Sequence, residues 1–188
     1  MKPIGGPQIT IARKSGSAAL MKRVLGVTRM AAYVGVPAAS TSARSEQLLA
    51  MAGKTSSKKK QAKLRKAATE DVTNAELLFI HTKGSPIRHI PARPVLEPAV
   101  AAQGNREPIA RELAASVKAS LEGDRALALK KMQRAAMAGQ NAARSWFTDS
   151  RNGWKPNAKS TIERKGSSRP LIDTGALRTS IIGVVGEE

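Results

Sequence analysis

The chain has 188 residues, 32 Lys and Arg against 14 Asp and Glu, and a net charge of +18. That length fits one ordinary domain with extensions, and that charge asks for an acidic partner: nucleic acid, an anionic membrane or an acidic protein surface. The lack of Cys excludes disulfides, thiol catalysis and thiolate metal sites, five aromatic residues argue against a base-stacking platform, and two histidines argue against a His-based metal centre.

Residues 1–70 carry +12 of the total charge. The stretch ahead of Glu46 is free of acidic side chains and rich in Arg, Ser and Ala, a composition shared with mitochondrial transit peptides. With Met1 present, no cleaved leader is expected. Lys22, Arg23 and Arg29 interrupt residues 18–36, short of the roughly 20 apolar residues of a membrane span. The expectation is a soluble chain with no membrane partner.

Pro3, Gly5, Gly6 and Pro7 precede the alternation Ile9-Thr10-Ile11, which reads as an extended arm with one edge strand. Residues 18–29 are expected to form a short basic helix with Leu20, Val24 and Val27 on one side. Residues 30–36 read as a strand stopped by Pro37. Residues 38–68 are polar and low in complexity, with Lys58, Lys59, Lys60, Lys63, Arg65 and Lys66 close together. So dense a charge run is expected to be a loop or a solvated helix, ordered only against something acidic.

Order is expected to resume at Asn74 as an N-cap, with Ala75, Leu78 and Phe79 on one helical face. Gly84 and then Pro86, Pro91, Pro94 and Pro98 force an extended path with turns. Pro108 opens a helix with Ile109, Leu113, Val117 and Leu121 as its apolar positions, ended by Gly123. Asp124 caps a longer helix to Phe147, whose stripe is Leu129, Met132, Ala136, Gly139, Ala143 and Trp146. Its small residues suit close packing on the preceding helix or on another subunit. Asn152-Gly153 makes a turn, Asn157 caps a short helix ended by Gly166, and residues 178–185 read as the closing strand. The organisation is therefore an arm and first strand (1–37), a basic insertion (38–73) and an α+β core (74–188). The expected fold class is α+β, an antiparallel sheet packed on two main helices.

Apparent catalytic motifs weaken on inspection. Ala52-Gly53-Lys54-Thr55 matches the end of a phosphate-binding loop, but position 48 is Leu48 and not the required Gly. Leu171-Ile172-Asp173-Thr174-Gly175 resembles an aspartic-protease motif, which needs a second Asp and more chain after it than is present here. The default reading makes Asp173 a turn cap, gives Gly175 an unusual backbone angle, and returns Leu177 and Ile181 to the core. His81 and His89 are separated by Gly84 and Pro86 and lack ligand spacing. Glu107, Glu112 and Glu122 sit on helix surfaces without acid–base partners. No enzyme, cofactor or metal is expected.

Two segments together resemble the virion-morphogenesis proteins of tailed bacteriophages. Ile90-Pro91-Ala92-Arg93-Pro94-Val95-Leu96-Glu97-Pro98-Ala99 is similar to that family's Pro-Ala-Arg-Pro signature, with Val95 where the family has an aromatic. Thr161-Ile162-Glu163-Arg164-Lys165-Gly166-Ser167, running into Pro170-Leu171-Ile172-Asp173-Thr174-Gly175-Ala176-Leu177, is similar to its second signature. The resemblance spans about residues 74–185; residues 1–73 have no counterpart. It implies a neck protein, assembled in the host cytoplasm and resident in the virion, that forms a sixfold or twelvefold ring joining the portal connector to the tail tube or terminator around a DNA channel. It marks Pro91, Arg93, Pro94, Lys165, Gly166, Asp173, Thr174, Gly175 and Leu177 as structural residues. The basic cluster at 58–66 is the candidate contact for DNA or an acidic partner. The competing expectation is a basic nucleic-acid-binding protein of ribosomal or packaging type.

Overall fold

In the computed structural model, residues 16–38 and 41–187 are described. The arm expected at residues 1–15, with its Ile9–Ile11 strand, lies outside them. The described chain mixes helices with one two-stranded antiparallel sheet.

The organising unit is a helical hairpin. Helix α6 (Arg106–Glu122) ends at Gly123, whose φ of 90° is left-handed, a conformation that glycine adopts without steric cost. Asp124 then accepts the Leu127 N–H at 2.9 Å and caps α7 (Arg125–Trp146). The two helices meet on small side chains: Ser116 is fully buried and donates to the Ala128 carbonyl at 2.7 Å, beside Ala119 and Met132. The expected stripe on α6 is corrected here, because Val117 and Leu121 are exposed and Ser116, Ala119 and Ser120 take the buried face. Steps of four overshoot a helical turn by about 40° each, so such a series spirals off the face on which it starts. On α7, Met132, Ala136, Gly139, Ala143 and Trp146 are buried as expected, but Leu129 is exposed and Ala128 replaces it.

Helix α1 (Gly16–Thr28) leads into strand β1 (Met30–Gly35), which pairs with the closing strand β2 (Ile182–Glu187), Met30 opposite Glu187 and Gly35 opposite Ile182. The sheet lies on α7. A Cβ on Gly139 would stand 2.7 Å from Val34 Cγ2, and one on Gly183 would fall on the Ala136 carbonyl. The small-residue seam therefore faces the strands as well as α6. Gln140 Oε1 accepts from the Gly183 N–H, and Arg144 donates to the Ile181 and Thr179 carbonyls, fixing where β2 begins. The closing strand starts later than expected, since the short helix α9 (Ala176–Ser180) occupies the preceding residues.

Two further helices, α2 (Thr41–Gly53) and α3 (Lys58–Ala68), fill the basic insertion. They are not a free run of charge. Leu48 and Leu64 are fully buried and pack with Ala52 and Ala176, each such leucine contributing about 1.5–3 kcal/mol. Spacing along α3 turns Gln61, Leu64, Ala67 and Ala68 inward, leaves Lys63 half-buried, and leaves Lys58, Lys59, Lys60, Arg65 and Lys66 exposed. Ser57 accepts from Lys60 N at the start of α3, an orphan donor that a Ser N-cap satisfies.

Helix α4 (Asn74–Lys83) begins with a capping box between Thr73 and Glu76, so Thr73 and not Asn74 is its cap. Phe79 of the expected apolar face is exposed and Leu78 is buried. The proline series is extended only in part: α5 (Leu96–Ala101) includes Pro98 in its first turn, where no intrahelical N–H is forfeited. Helix α8 (Lys159–Lys165) starts after Ala158, and Asn157 instead donates to the Ser168 and Arg169 carbonyls. The main core gathers Leu78, Val95, Ala99, Ala143, Trp146, Phe147, Leu177 and Ile181.

Candidate functional site

The two motif segments, far apart in sequence, converge. Arg93, Lys165, Asp173, Thr174, Gly175 and Leu177 line one open cleft of about 260 Å³, which also receives residues of α2, α3 and α4. Each element has a local reason to arrive there. Gly84 ends α4 with φ 73°, and a Cβ at that position would stand 2.8 Å from both Ala92 N and Ile90 O. A side chain would prevent the return of the chain, so only glycine fits. That return sets the Arg93 N–H on the His81 carbonyl at 2.6 Å. Gly166 (φ 70°) ends α8 and leaves Lys165 at its last position, where Nζ donates to the Arg169 carbonyl.

The Asp-Thr-Gly segment forms a tight entry to α9. Gly175 has φ 85°, and Thr174 Oγ1 accepts from Ala176 N. Leu177 and Ile181 return to the core, as the default reading of the motif anticipates. Just upstream, Leu171 has φ 55° and is spanned by a bond from Ile172 N to the Pro170 carbonyl at 2.7 Å. A positive φ is costly for such a side chain, and strain of this kind concentrates at functional segments.

Asp173 forms an ion pair with Lys63 of α3, and Lys63 also donates to the Lys165 carbonyl. One member of the basic cluster thus stitches the insertion to both parts of the second motif, the end of α8 and the Asp-Thr-Gly turn. The other five, Lys58, Lys59, Lys60, Arg65 and Lys66, are exposed on the outer face of α3 and stay away from the cleft. Pro91, Pro94 and Gly166 do not line it either; the Pro94 carbonyl accepts from Trp154 Nε1, which packs edge-on against Phe147.

Residues in and beside the cleft that carry no motif escaped sequence reasoning. Arg44 on α2 is buried, donates to the Ala67 carbonyl and pairs with Glu70 at 3.4 Å. Gln47 donates to the Ala176 carbonyl and accepts from Asn74, tying α2 to α9 and α4. The spacing Arg44, Gln47/Leu48, Met51/Ala52 was the available signal, since it places these residues on one helical face.

Electrostatically the cleft is cationic. Arg44, Arg93, Arg164 and Lys165 face only Glu70 and Asp173. Arg93 is 7 % exposed and donates from Nε and Nη2 to the main-chain carbonyls of Lys155 and Pro156. Burial, reinforced by Arg93 and Lys165, holds the His81 imidazole below its ordinary range, so it is neutral near pH 7. Burial likewise lowers Lys165, and Asp173 pulls it back against the neighbouring Lys63, Arg93 and Arg164.

No protein-family model, curated protein or solved structure matches this chain.

Proposed function

We propose that the chain is a structural protein of the phage neck, a homo-oligomeric ring that joins the portal connector to the tail and leaves a channel for DNA. In this reading the β1–β2 sheet on the α6–α7 hairpin is the ring-forming body. The N-terminal arm and the α2–α3 insertion are the parts that reach neighbours. The observation that carries the reading is the meeting of both family-like motifs at one cleft: residues scattered over the chain converge, as a shared structural signature requires. An apolar surface supports it. Leu20 and Met21 of α1 and Val117 and Leu121 of α6 are each exposed, on two helices joined by the bond from Arg23 to the Leu121 carbonyl, and clustered exposed apolar side chains mark interaction sites. The role is mechanical and not catalytic; Asp173, the one protease-like carboxylate, is occupied by Lys63.

The test is native mass measurement of the purified protein, alone and with portal and tail proteins. Rings of six or twelve copies are expected; a chain that stays monomeric inside assembled particles overturns the reading.

The outward row of Lys58, Lys59, Lys60, Arg65 and Lys66 favours a second reading, a nucleic-acid-binding protein whose affinity falls steeply with salt. Changing these residues and Lys63 to Gln separates the two. Loss of DNA binding with rings intact gives the row a DNA-contacting role within the neck protein. Loss of DNA binding by a protein that forms no rings favours the second reading.

A further inference from the structure

Charge in the motif cleft is not balanced from within. Of its two carboxylates, Glu70 is engaged by Arg44 and Asp173 by Lys63, which reaches in from α3. Arg93 and Arg164 therefore have no carboxylate partner among the described residues. Arg93 is nevertheless largely removed from water and bonded only to neutral carbonyls. A cation in that position carries a desolvation cost that neutral acceptors offset only in part. In the same wall the His81 Nδ1 is buried and has no hydrogen-bond partner, and buried polar atoms are otherwise nearly always satisfied. The Arg93 N–H is seated on the His81 carbonyl, which brings the two main chains together, and both residues line the cleft.

We propose that this cleft binds a phosphate group that keeps an ionisable hydroxyl, either free phosphate or a phosphate monoester, between Arg93, Lys165 and His81. The chemistry selects this class. Arg and Lys supply charge-assisted donors to anionic oxygens. A neutral imidazole nitrogen is either a donor or an acceptor, and a hydrogen phosphate can serve both, whereas a carboxylate or an internal phosphodiester can only accept. The space suffices: about 260 Å³, at roughly 30 Å³ per water, takes a phosphate and several waters. The open mouth leaves room for the rest of a monoester. Unlike the lysines on the outer face of α3, Arg93 and Lys165 are fixed by bonds to main-chain carbonyls, so little order is lost when an anion arrives.

The experiment titrates the full-length protein with inorganic phosphate, followed by calorimetry and by the His81 imidazole signals in NMR. Parallel arms use acetate and a short oligonucleotide with and without its 5′-phosphate. Saturable phosphate binding that moves the His81 signals is expected, weakened at least tenfold by Lys165→Gln and unchanged by Lys59→Gln on the outer face. Arg93→Gln should abolish it, and Lys165→Gln, at a less buried residue, keeps the test open if the Arg93 variant does not fold. An oligonucleotide that binds tighter with its 5′-phosphate identifies a nucleic-acid end as the source. Equal binding of both oligonucleotides, with phosphate still bound, identifies free phosphate. No binding at about 10 mM phosphate, where a Kd of about 1 mM would leave most sites filled, overturns the proposal. So does acetate binding equally well, or an equal loss in the Lys59 variant.

Discussion

Two groups of cations in this molecule carry the same unit charge per residue in opposite circumstances. On the outer face of α3, Lys58, Lys59, Lys60, Arg65 and Lys66 stand in water. In the motif cleft, Arg44 and Arg93 are buried and Lys165 is half-buried, and all three bond to main-chain carbonyls. The first group attracts at long range and is screened by salt within about 8–10 Å. The second holds loops in place, and its charge is felt only by what enters the cleft. Net charge alone counts every one of these residues alike. Burial separates them into a surface that steers partners and a site that fixes geometry.

The sharpest way to break this comparison is to remove the anchor that keeps the α3 lysines outside. Leu64→Ala deletes a fully buried side chain and is expected to cost about 2–5 kcal/mol, read as a drop in Tm. An unchanged Tm would mean that α3 is only loosely held. Next comes Arg93→Gln, which removes the charge-assisted bonds to the Lys155 and Pro156 carbonyls, at about 1.5–3 kcal/mol. Chemical denaturation should show it, with faster amide exchange around residues 153–157.

A smaller effect tests the electrostatics of the cleft. The folded-state pKa of His81 lies below 6.5 because of burial and the adjacent Arg93 and Lys165, so the unfolded chain binds a proton that the folded chain refuses. The contribution of His81 to stability is complete above pH 6.5 and is lost as pH falls through its folded-state value. Tm measured between pH 7.5 and 5 should decline, and His81→Gln should flatten that decline. The smallest effect belongs to the outer face. Single Gln replacements at Lys58, Lys59 or Lys60, all exposed, should change stability by no more than about 0.5 kcal/mol. A larger loss at any of them would place that lysine in the second group.

Much of the fold was legible wherever a residue type has a local physical consequence. Gly123, Asp124 and Gly166 end or begin helices as their chemistry requires, and the stripe on α7 is buried almost as spaced. Misreadings arose where partners distant in sequence decide. Asn157 has the side chain of a cap and spends it on the Ser168 and Arg169 carbonyls. Residues 178–181 alternate like a strand, yet Gln47 and Arg144 bond to the carbonyls of Ala176, Thr179 and Ile181 around the α9 turn. Of the cleft, Arg93, Lys165 and Asp173 were singled out by their motifs. Asn74 was read only as a helix cap, and Arg44 and the neighbouring Gln47 were not singled out, since isolated polar residues on amphipathic helices look alike until the packing is known.

Taken by itself, the sequence determined the charge excess, the absence of thiol chemistry, the helix limits set by Gly, Pro and Asp, and the two motif segments. Those are properties of composition and of contacts a few residues long. The tertiary structure alone decided that the lysine run would be half of a packed helix pair, that one lysine would turn inward to Asp173, and that both motifs would share a cleft. These depend on which faces are buried against elements dozens of residues away, and burial is what turns a charged side chain from a solvated group into a structural one.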